Sequence, residues 1–243
     1  MLRIVTTSWD DGVIHDLKVA QCLLSRGIAG TFYVPINSYR GARLDDGQLR
    51  GLASQGFEVG AHGVNHENFS ALPAQPAREI LRGAKDRLQE IIGKEVSMFC
   101  YPNGRYRRET PRLVKEAGYR GGRTTRMLST APGFRPFEMP TSLQAYPHTP
   151  AAYLRNTLRA GAPVRLFKYA LGLRREDDWV ELGRKLFDQV TARGGIWHLY
   201  GHSWEIEQLN LWDGLAQMLD YVCRRPGVLY LTNAAVLNCS LSR

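Results

Sequence analysis

Four short stretches hold the residue types that hydrolytic chemistry needs. They are "WDDG" with Asp10 and Asp11, "HGVNH" with His62 and His66, "YPNG" with Asn103, and "GHSWE" with His202. His62 and His66 stand four apart, a spacing at which one helical turn sets both imidazoles on one side. Two histidines and one carboxylate are a common ligand set for a catalytic zinc, with the remaining positions open to water or substrate. The same set suits ferrous iron and other divalent metals. The asparagine and glycine around these histidines speak for a loop, and the plain alternative is two surface histidines capping a turn. Asp10 and Asp11, adjacent on a strand, would point to opposite sides. At a strand end before a glycine the chain can swing both into one cavity, where one carboxylate binds a metal and the other acts as base. The plain alternative is a turn, since Asp-Gly is a favoured turn pair. That Asp11 completes a set with the two histidines weighs against it.

"GHSWE" also nearly spells the nucleophile elbow of a serine hydrolase. Glu205 stands where the elbow's second glycine belongs, and no histidine follows position 202, although that fold places its histidine after the serine. Ser203 is therefore read as a loop hydroxyl. His198 shares strand parity with His202 but lies deeper, and is expected in the core or behind the site. His15 and His148 are expected in loops. Trp204, Trp212 and Tyr101 could offer a sugar ring a platform, or simply pack beneath loops.

These residues need elements to carry them, and the chain alternates β-rich and helical runs. Strands are expected at 2–9, 30–35, 57–62 and 96–102, near 119–124 and 136–141, and at 196–202 and 227–233. Helices are expected at 16–27 (Asp16 as N-cap, Gly27 as stop), 45–56, 74–93, 109–118, 177–195 and 208–225. The alternation implies a mostly parallel sheet with helices outside it. The number of strands suits a distorted (β/α) barrel of about six to seven mostly parallel strands. In such barrels the active site lies where strands end, and all four motifs fall there. The whole chain, 1–243, is expected to form one catalytic domain.

The bulk numbers narrow the classes. Hydrophobic content of 44% and charged content of 23% are ordinary for a globular chain. The scattered cysteines Cys22, Cys100, Cys223 and Cys239 lack the paired spacing of a zinc knuckle and suit a reducing compartment. The opening residues lack a secretion-signal pattern, and no run is long enough to span a membrane. The expectation is a cytoplasmic protein, with peripheral contact at the inner membrane face as an option. The net charge of +9 favours anionic partners. The densest basic run, 165–176, carries an apolar helical stripe rather than spaced stacking aromatics, so nucleic acid is not an expected partner. Oligomeric state is not readable.

In order and context, "TTSWDDG", "GTFYVP", "HGVNH", "FCYPNG" and a late strand ending in His202 resemble the polysaccharide deacetylases, carbohydrate esterase family 4, also called the NodB-homology family. The resemblance implies metal-dependent removal of an N-acetyl group from a sugar, with an N-acetylated saccharide or glycoconjugate, in keeping with the charge an anionic one, as substrate. It assigns Asp10 as general base and Asp11, His62 and His66 as ligands of a divalent metal, zinc first, with cobalt, manganese or nickel as alternatives. It assigns the Asn103 backbone N–H to the oxyanion and His202 to protonation of the leaving amine. The chain departs from the family twice. Cys100 stands where many members carry an arginine that steadies the catalytic aspartate, leaving Arg105, Arg123 or Arg126 to substitute. The acid that should orient His202 has no clear match, with Glu138 and Glu205 as candidates. An amidohydrolase acting on a non-sugar amide or cyclic imide, and an inactive carbohydrate-binding domain, are the competing functions.

Overall fold

A computed structural model of the chain describes residues 1–159 and 178–241. The basic run 165–176 lies outside the described residues. The sheet is built from β1 (Arg3–Asp10), β2 (Gly30–Val34), β3 (Glu58–Ala61), β4 (Met98–Cys100), β5 (Gly121–Arg123), β6 (Leu143–Gln144), β7 (Gly195–His202) and β8 (Leu229–Tyr230). Its order is β5-β4-β3-β2-β1-β7-β6, with β8 added beside β1, and every pairing is parallel. The helices are α1 (Asp16–Leu24), α2 (Asp46–Ser54), α3 (Ala74–Ile92), α4 (Thr110–Glu116), α5 (Pro150–Arg159), α6 (Trp179–Arg193), α7 (Ser203–Gln208), α8 (Trp212–Val222) and α9 (Asn233–Leu241).

β1 is buried on both faces, as the run "IVTTSW" requires of a central parallel strand. Val5 and Trp9 face the outer helices and join the large core. Ile4 faces inward, where it meets Ile196, Met98 and Val236 of α9 in a smaller cluster. Above that floor the barrel turns polar. Thr6 and Tyr33 both bond the Asn233 side chain, at 2.8 Å each. Ser8 bonds His198 Nε2 at 2.8 Å. The outer helices follow from local rules. α3 buries Ala77, Leu81, Ala84, Leu88 and Ile91 along one stripe and ends at Gly93 in the left-handed region. α2 starts on a capping box between Asp45 and Gln48.

The barrel is distorted where its edges meet. β5 and β6 do not pair directly. The irregular segment between them bonds β5 through Met139 N to Gly122 O (2.8 Å) and β7 through Ser142 N to His198 O (2.8 Å). The strand expected at 136–141 is therefore a single bridge, Arg123 to Met139, and the regular pairing comes later, at Leu143–Gln144.

Three other expectations are corrected. The helix expected at 208–225 shortens to Trp212–Val222, and a separate short helix, Ser203–Gln208, ends just before Asn210, which takes a left-handed φ of 51°. The strand expected at 227–233 shortens to Leu229–Tyr230, because Asn233 opens α9. Asp16 is not an N-cap: His15 holds that position, and Asp16 is buried, accepting a 2.6 Å bond from Ser203 Oγ. Burial raises the Asp16 carboxyl well above the usual carboxylate range.

Candidate active site

Register brings the motifs to one rim. β1 and β7 run in step from Arg3 opposite Gly195 to Asp10 opposite His202. Asp10 therefore meets His202 because both are the last residues of paired strands. Beyond Asp10 the chain reverses at Asp11 (φ 81°) and Gly12 (φ 61°). That reversal carries the Asp11 carboxylate to the loop after β3. Asp11 Oδ1 lies 3.7 Å from His62 Nε2 and 3.6 Å from His66 Nε2. The stretch from 62 to 66 is a loop, as its glycine and asparagine imply, and not a helical turn. Left-handed residues at Gly63 and His66 bend a loop that brings the two rings to 4.7 Å, edge to face.

These three side chains fit a divalent metal. All are buried. His62 Nδ1 lies 2.9 Å from the Cys100 carbonyl, so it carries the proton and Nε2 presents a lone pair toward Asp11. Burial lowers the His62 imidazole, and burial together with His62 lowers His66 to about 4, so both rings are neutral at pH 7. Asp11 Oδ1 is buried without a hydrogen-bond donor among the described residues. A lone pair and a carboxylate oxygen facing one another at 3.7 Å leave room that a cation satisfies. The other oxygen, Oδ2, accepts from Trp204 Nε1 at 2.8 Å, which fixes the carboxylate's rotation. Tyr39 stacks on His66 at 3.8 Å and holds the second ring.

Asp10 is set differently. Burial works to raise its carboxyl, but the buried Arg123 guanidinium, with His62 and His202, holds it below the usual range and so ionised. Arg123 bonds Asp10 Oδ1. Its charge is also faced by the rings of Tyr33 and Tyr200, at 5.2 and 4.8 Å. The register explains why Arg123 takes this place: it pairs with Cys100 across β4 and β5. The arginine enters one strand over from the position the resemblance pointed to, at the same level of the barrel. Arg105 and Arg126 do not take this role.

His202 closes the site opposite. Its Nε2 lies 3.9 Å from Asp10 Oδ2, and its Nδ1 lies 2.7 Å from Glu205 Oε2. Burial would lower the imidazole, but Glu205 and then Asp10 raise it to about 9, so the ring is protonated at neutral pH. Glu205 is thus the acid that orients His202. Glu138 instead bonds Tyr106 at 2.9 Å and Arg126 at 3.0 Å, outside the site cavity. Gln144 steadies the pair, donating to Glu205 at 2.8 Å and accepting from Tyr200 OH at 2.7 Å.

A cavity of about 510 Å³ opens over these groups, lined by Asp10, His62, His66, Asn103, Gln144 and His202 among others. Asn103 sits at its rim in a left-handed turn (φ 54°). The next residue, Gly104, is also left-handed, and a Cβ there would run into the Thr125 side chain. His148 is more than a loop residue: it lines the cavity and lies 2.9 Å from Gln144 Oε1. His198 is in the core, with Ser8 at Nε2 and the Pro140 carbonyl 3.1 Å from Nδ1, and burial lowers it to about 3. His15 is half-buried beside Glu207, away from the site cavity. Tyr101 is fully buried and Trp212 bonds Glu207, so neither faces the cavity. Gln144 and Tyr39 gave no motif to read; both are known only from where a short strand and a loop place them.

Residues 3–122, about half of the chain, match the family model for polysaccharide deacetylases. The family member YxkH of Bacillus subtilis (strain 168) is 25% identical over 126 residues, which is 51% of this chain and 45% of that protein. The peptidoglycan deacetylase of Helicobacter pylori is 27% identical over 73 residues, 30% of this chain and 25% of that protein. The chain thus spans less than half the length of these curated relatives. A family structure from Mycobacterium smegmatis superposes with a TM-score of 0.72 at 17% identity, covering 99% of this chain and 91% of that one. PuuE allantoinase follows at 0.69 and 15% identity, covering 98% and 90%. A mutant of the family pseudoenzyme BA3943 superposes at 0.60 and 13% identity, covering 97% and 68%. At these identities the superpositions speak for the fold. With the match over 3–122 and this distorted (β/α) barrel, the chain belongs to the polysaccharide deacetylase family.

Proposed function

We propose that the protein is a divalent-metal-dependent hydrolase that removes the N-acetyl group from an acetylated amino sugar. The observation that carries this is an ionised Asp10 and a protonated His202, 3.9 Å apart, beside a buried two-histidine, one-carboxylate set. Base and acid are held in opposite protonation states at the same pH, as amide hydrolysis needs.

Asp11, His62 and His66 would hold the metal, which when bound polarises the acetyl carbonyl and acidifies water. Asp10 takes the proton of the attacking water on Oδ2, since Oδ1 is engaged by Arg123. The water oxygen bonds to the carbonyl carbon, and the Asn103 backbone N–H at the rim donates to the oxygen that gains charge. His202 then gives its Nε2 proton to the amide nitrogen. The carbon–nitrogen bond breaks, leaving acetate and a free amine. Glu205 holds that proton on His202 until this step.

The test is acetate release from a panel of N-acetylated saccharides by the metal-loaded protein, with Asp10→Asn as control. Asp10→Asn should lower the rate by at least about a hundredfold, the scale of a general base. Absence of acetate from every sugar, together with turnover of a non-sugar cyclic amide, would replace this reading with the amidohydrolase. No turnover of anything, and no metal bound, would leave a binding domain.

A further inference from the structure

Beside the site cavity lies a larger cleft of about 960 Å³. The two share the wall made by Asn103, Arg105, Thr125 and Asn156, so a molecule whose amide reaches Asp10 can extend into the cleft. The cleft's charge is one-sided. Among the described residues, Arg105, Arg107, Arg108, Arg126 and Arg135 line it against a single carboxylate, Glu138. Glu138 is already shared between Arg126 at 3.0 Å and Arg135 at 3.4 Å. Arg107 is held by the Ser70 carbonyl at 3.0 Å and meets Glu109 only at 3.9 Å. The side chains of Arg105 and Arg108 make no hydrogen bond or ion pair among the described residues, nor does that of Arg155, across the shared wall in the site cavity.

Like charges crowded in a concave wall repel one another, and the guanidinium fork matches a tetrahedral oxyanion two bonds at a time. We infer that this cleft binds a phosphate group carried by the acetylated sugar, with Arg105 and Arg108 as its principal contacts. The inference rests on the deacetylase reading and narrows its substrate to phosphorylated N-acetyl sugars. Continuity with the site favours a group on the substrate over a flat membrane surface, which would not need a shared wall with Asn103.

The experiment compares acetate release from N-acetylglucosamine 1-phosphate and from N-acetylglucosamine by the zinc-loaded chain at low salt. The phosphorylated sugar should have a kcat/KM at least about tenfold higher, mostly through KM, as expected for charge-assisted bonds. The advantage should shrink as salt rises. In Arg105→Gln/Arg108→Gln the ratio between the two sugars should fall toward one. Equal rates in the parent protein, or a ratio that survives in the double variant, would overturn the inference. If neither sugar is turned over, the wider saccharide panel decides the deacetylase reading by itself. Calorimetric binding of N-acetylglucosamine 1-phosphate to both metal-loaded proteins then decides the cleft, and equal affinity rejects it. Phosphatidylglycerol vesicles that sediment the parent protein but not the double variant, without any sugar-phosphate preference, would assign these arginines to a membrane surface instead.

Discussion

Glu205→Gln removes one charge and nearly nothing else, which makes it a sharp probe of the proton donor. His202 titrates near 9, against 6.5 for an ordinary imidazole, because Glu205 accepts from its Nδ1 at 2.7 Å and Asp10 faces its Nε2. A rise of that size corresponds to about 3 kcal/mol favouring the protonated ring. The sign follows directly: a group with a raised pKa keeps its proton below that value and loses it above. In the parent enzyme the acid is available up to about pH 9. Without Glu205, burial acts on the ring with less opposition, and its pKa returns to the ordinary value or below. At pH 7.5 the protonated fraction then drops from nearly all to about one tenth. The kcat/KM for acetate release should therefore fall about tenfold at pH 7.5 and recover substantially near pH 5.5, where a ring of ordinary pKa is again protonated. The assay is a full pH profile of both proteins with one saccharide. A basic limb left near pH 9 in the variant, or a loss of equal size at every pH, would refute the assignment of Glu205 as the group that holds the proton on His202.

Other consequences can be checked more briefly. Trp204→Phe removes the 2.8 Å bond to Asp11 Oδ2 and should weaken zinc affinity about ten- to a hundredfold by competition with a chromogenic chelator; unchanged affinity would mean that Asp11 needs no such partner. Arg123→Met leaves the buried Asp10 carboxylate without its cation and should cost about 3–5 kcal/mol in urea unfolding, whereas Asp10→Asn/Arg123→Met should regain part of that stability; a single variant as stable as the parent would contradict the pairing. Gly104→Ala forces a side chain into Thr125 at a left-handed position, so kcat should fall severalfold or more with little change in metal affinity; full activity would argue against Asn103 as oxyanion donor.

The rim residues were legible because each motif sits where a strand stops, just before glycine or asparagine turns, and a parallel barrel gathers such ends on one side. What escaped needed register or a tertiary contact. Arg123 was one of three candidate arginines, but nothing in "GGRTT" singles it out; it reaches Asp10 because β5 runs in step with β4 and sets it beside Cys100. Gln144 lies on a strand of only two residues, too short for any alternation to show. Glu205 was in plain view three residues after His202, yet sequence could not choose between it and Glu138, because that choice depends on whether position 202 starts a helix. It does: α7 begins at Ser203 and turns Glu205 back toward the imidazole. The late start of α8 had a signal, since Asn210 takes the left-handed region, which asparagine tolerates better than most residues.

Two neighbouring, chemically identical carboxylates end with opposite environments, and the cause is the backbone. Asp10 is the last residue of β1, still in register, so its side chain stays inside the barrel with Arg123. Asp11 adopts φ 81°, a conformation that costs a non-glycine residue roughly 1 kcal/mol or more. That cost is offset by contacts the turn alone makes available: Trp204 on one oxygen, and the two imidazoles facing the other. Gly12 must follow, because it is left-handed too and a Cβ there would lie 2.7 Å from Val34 Cγ1. The turn in "DDG" and the site in it are therefore one and the same feature. Asp-Gly is a turn, and the turn is what separates a carboxylate that accepts a proton from one that faces two histidines. Exchanging the two roles would require the strand to end one residue earlier, which would break the pairing that sets Asp10 against His202.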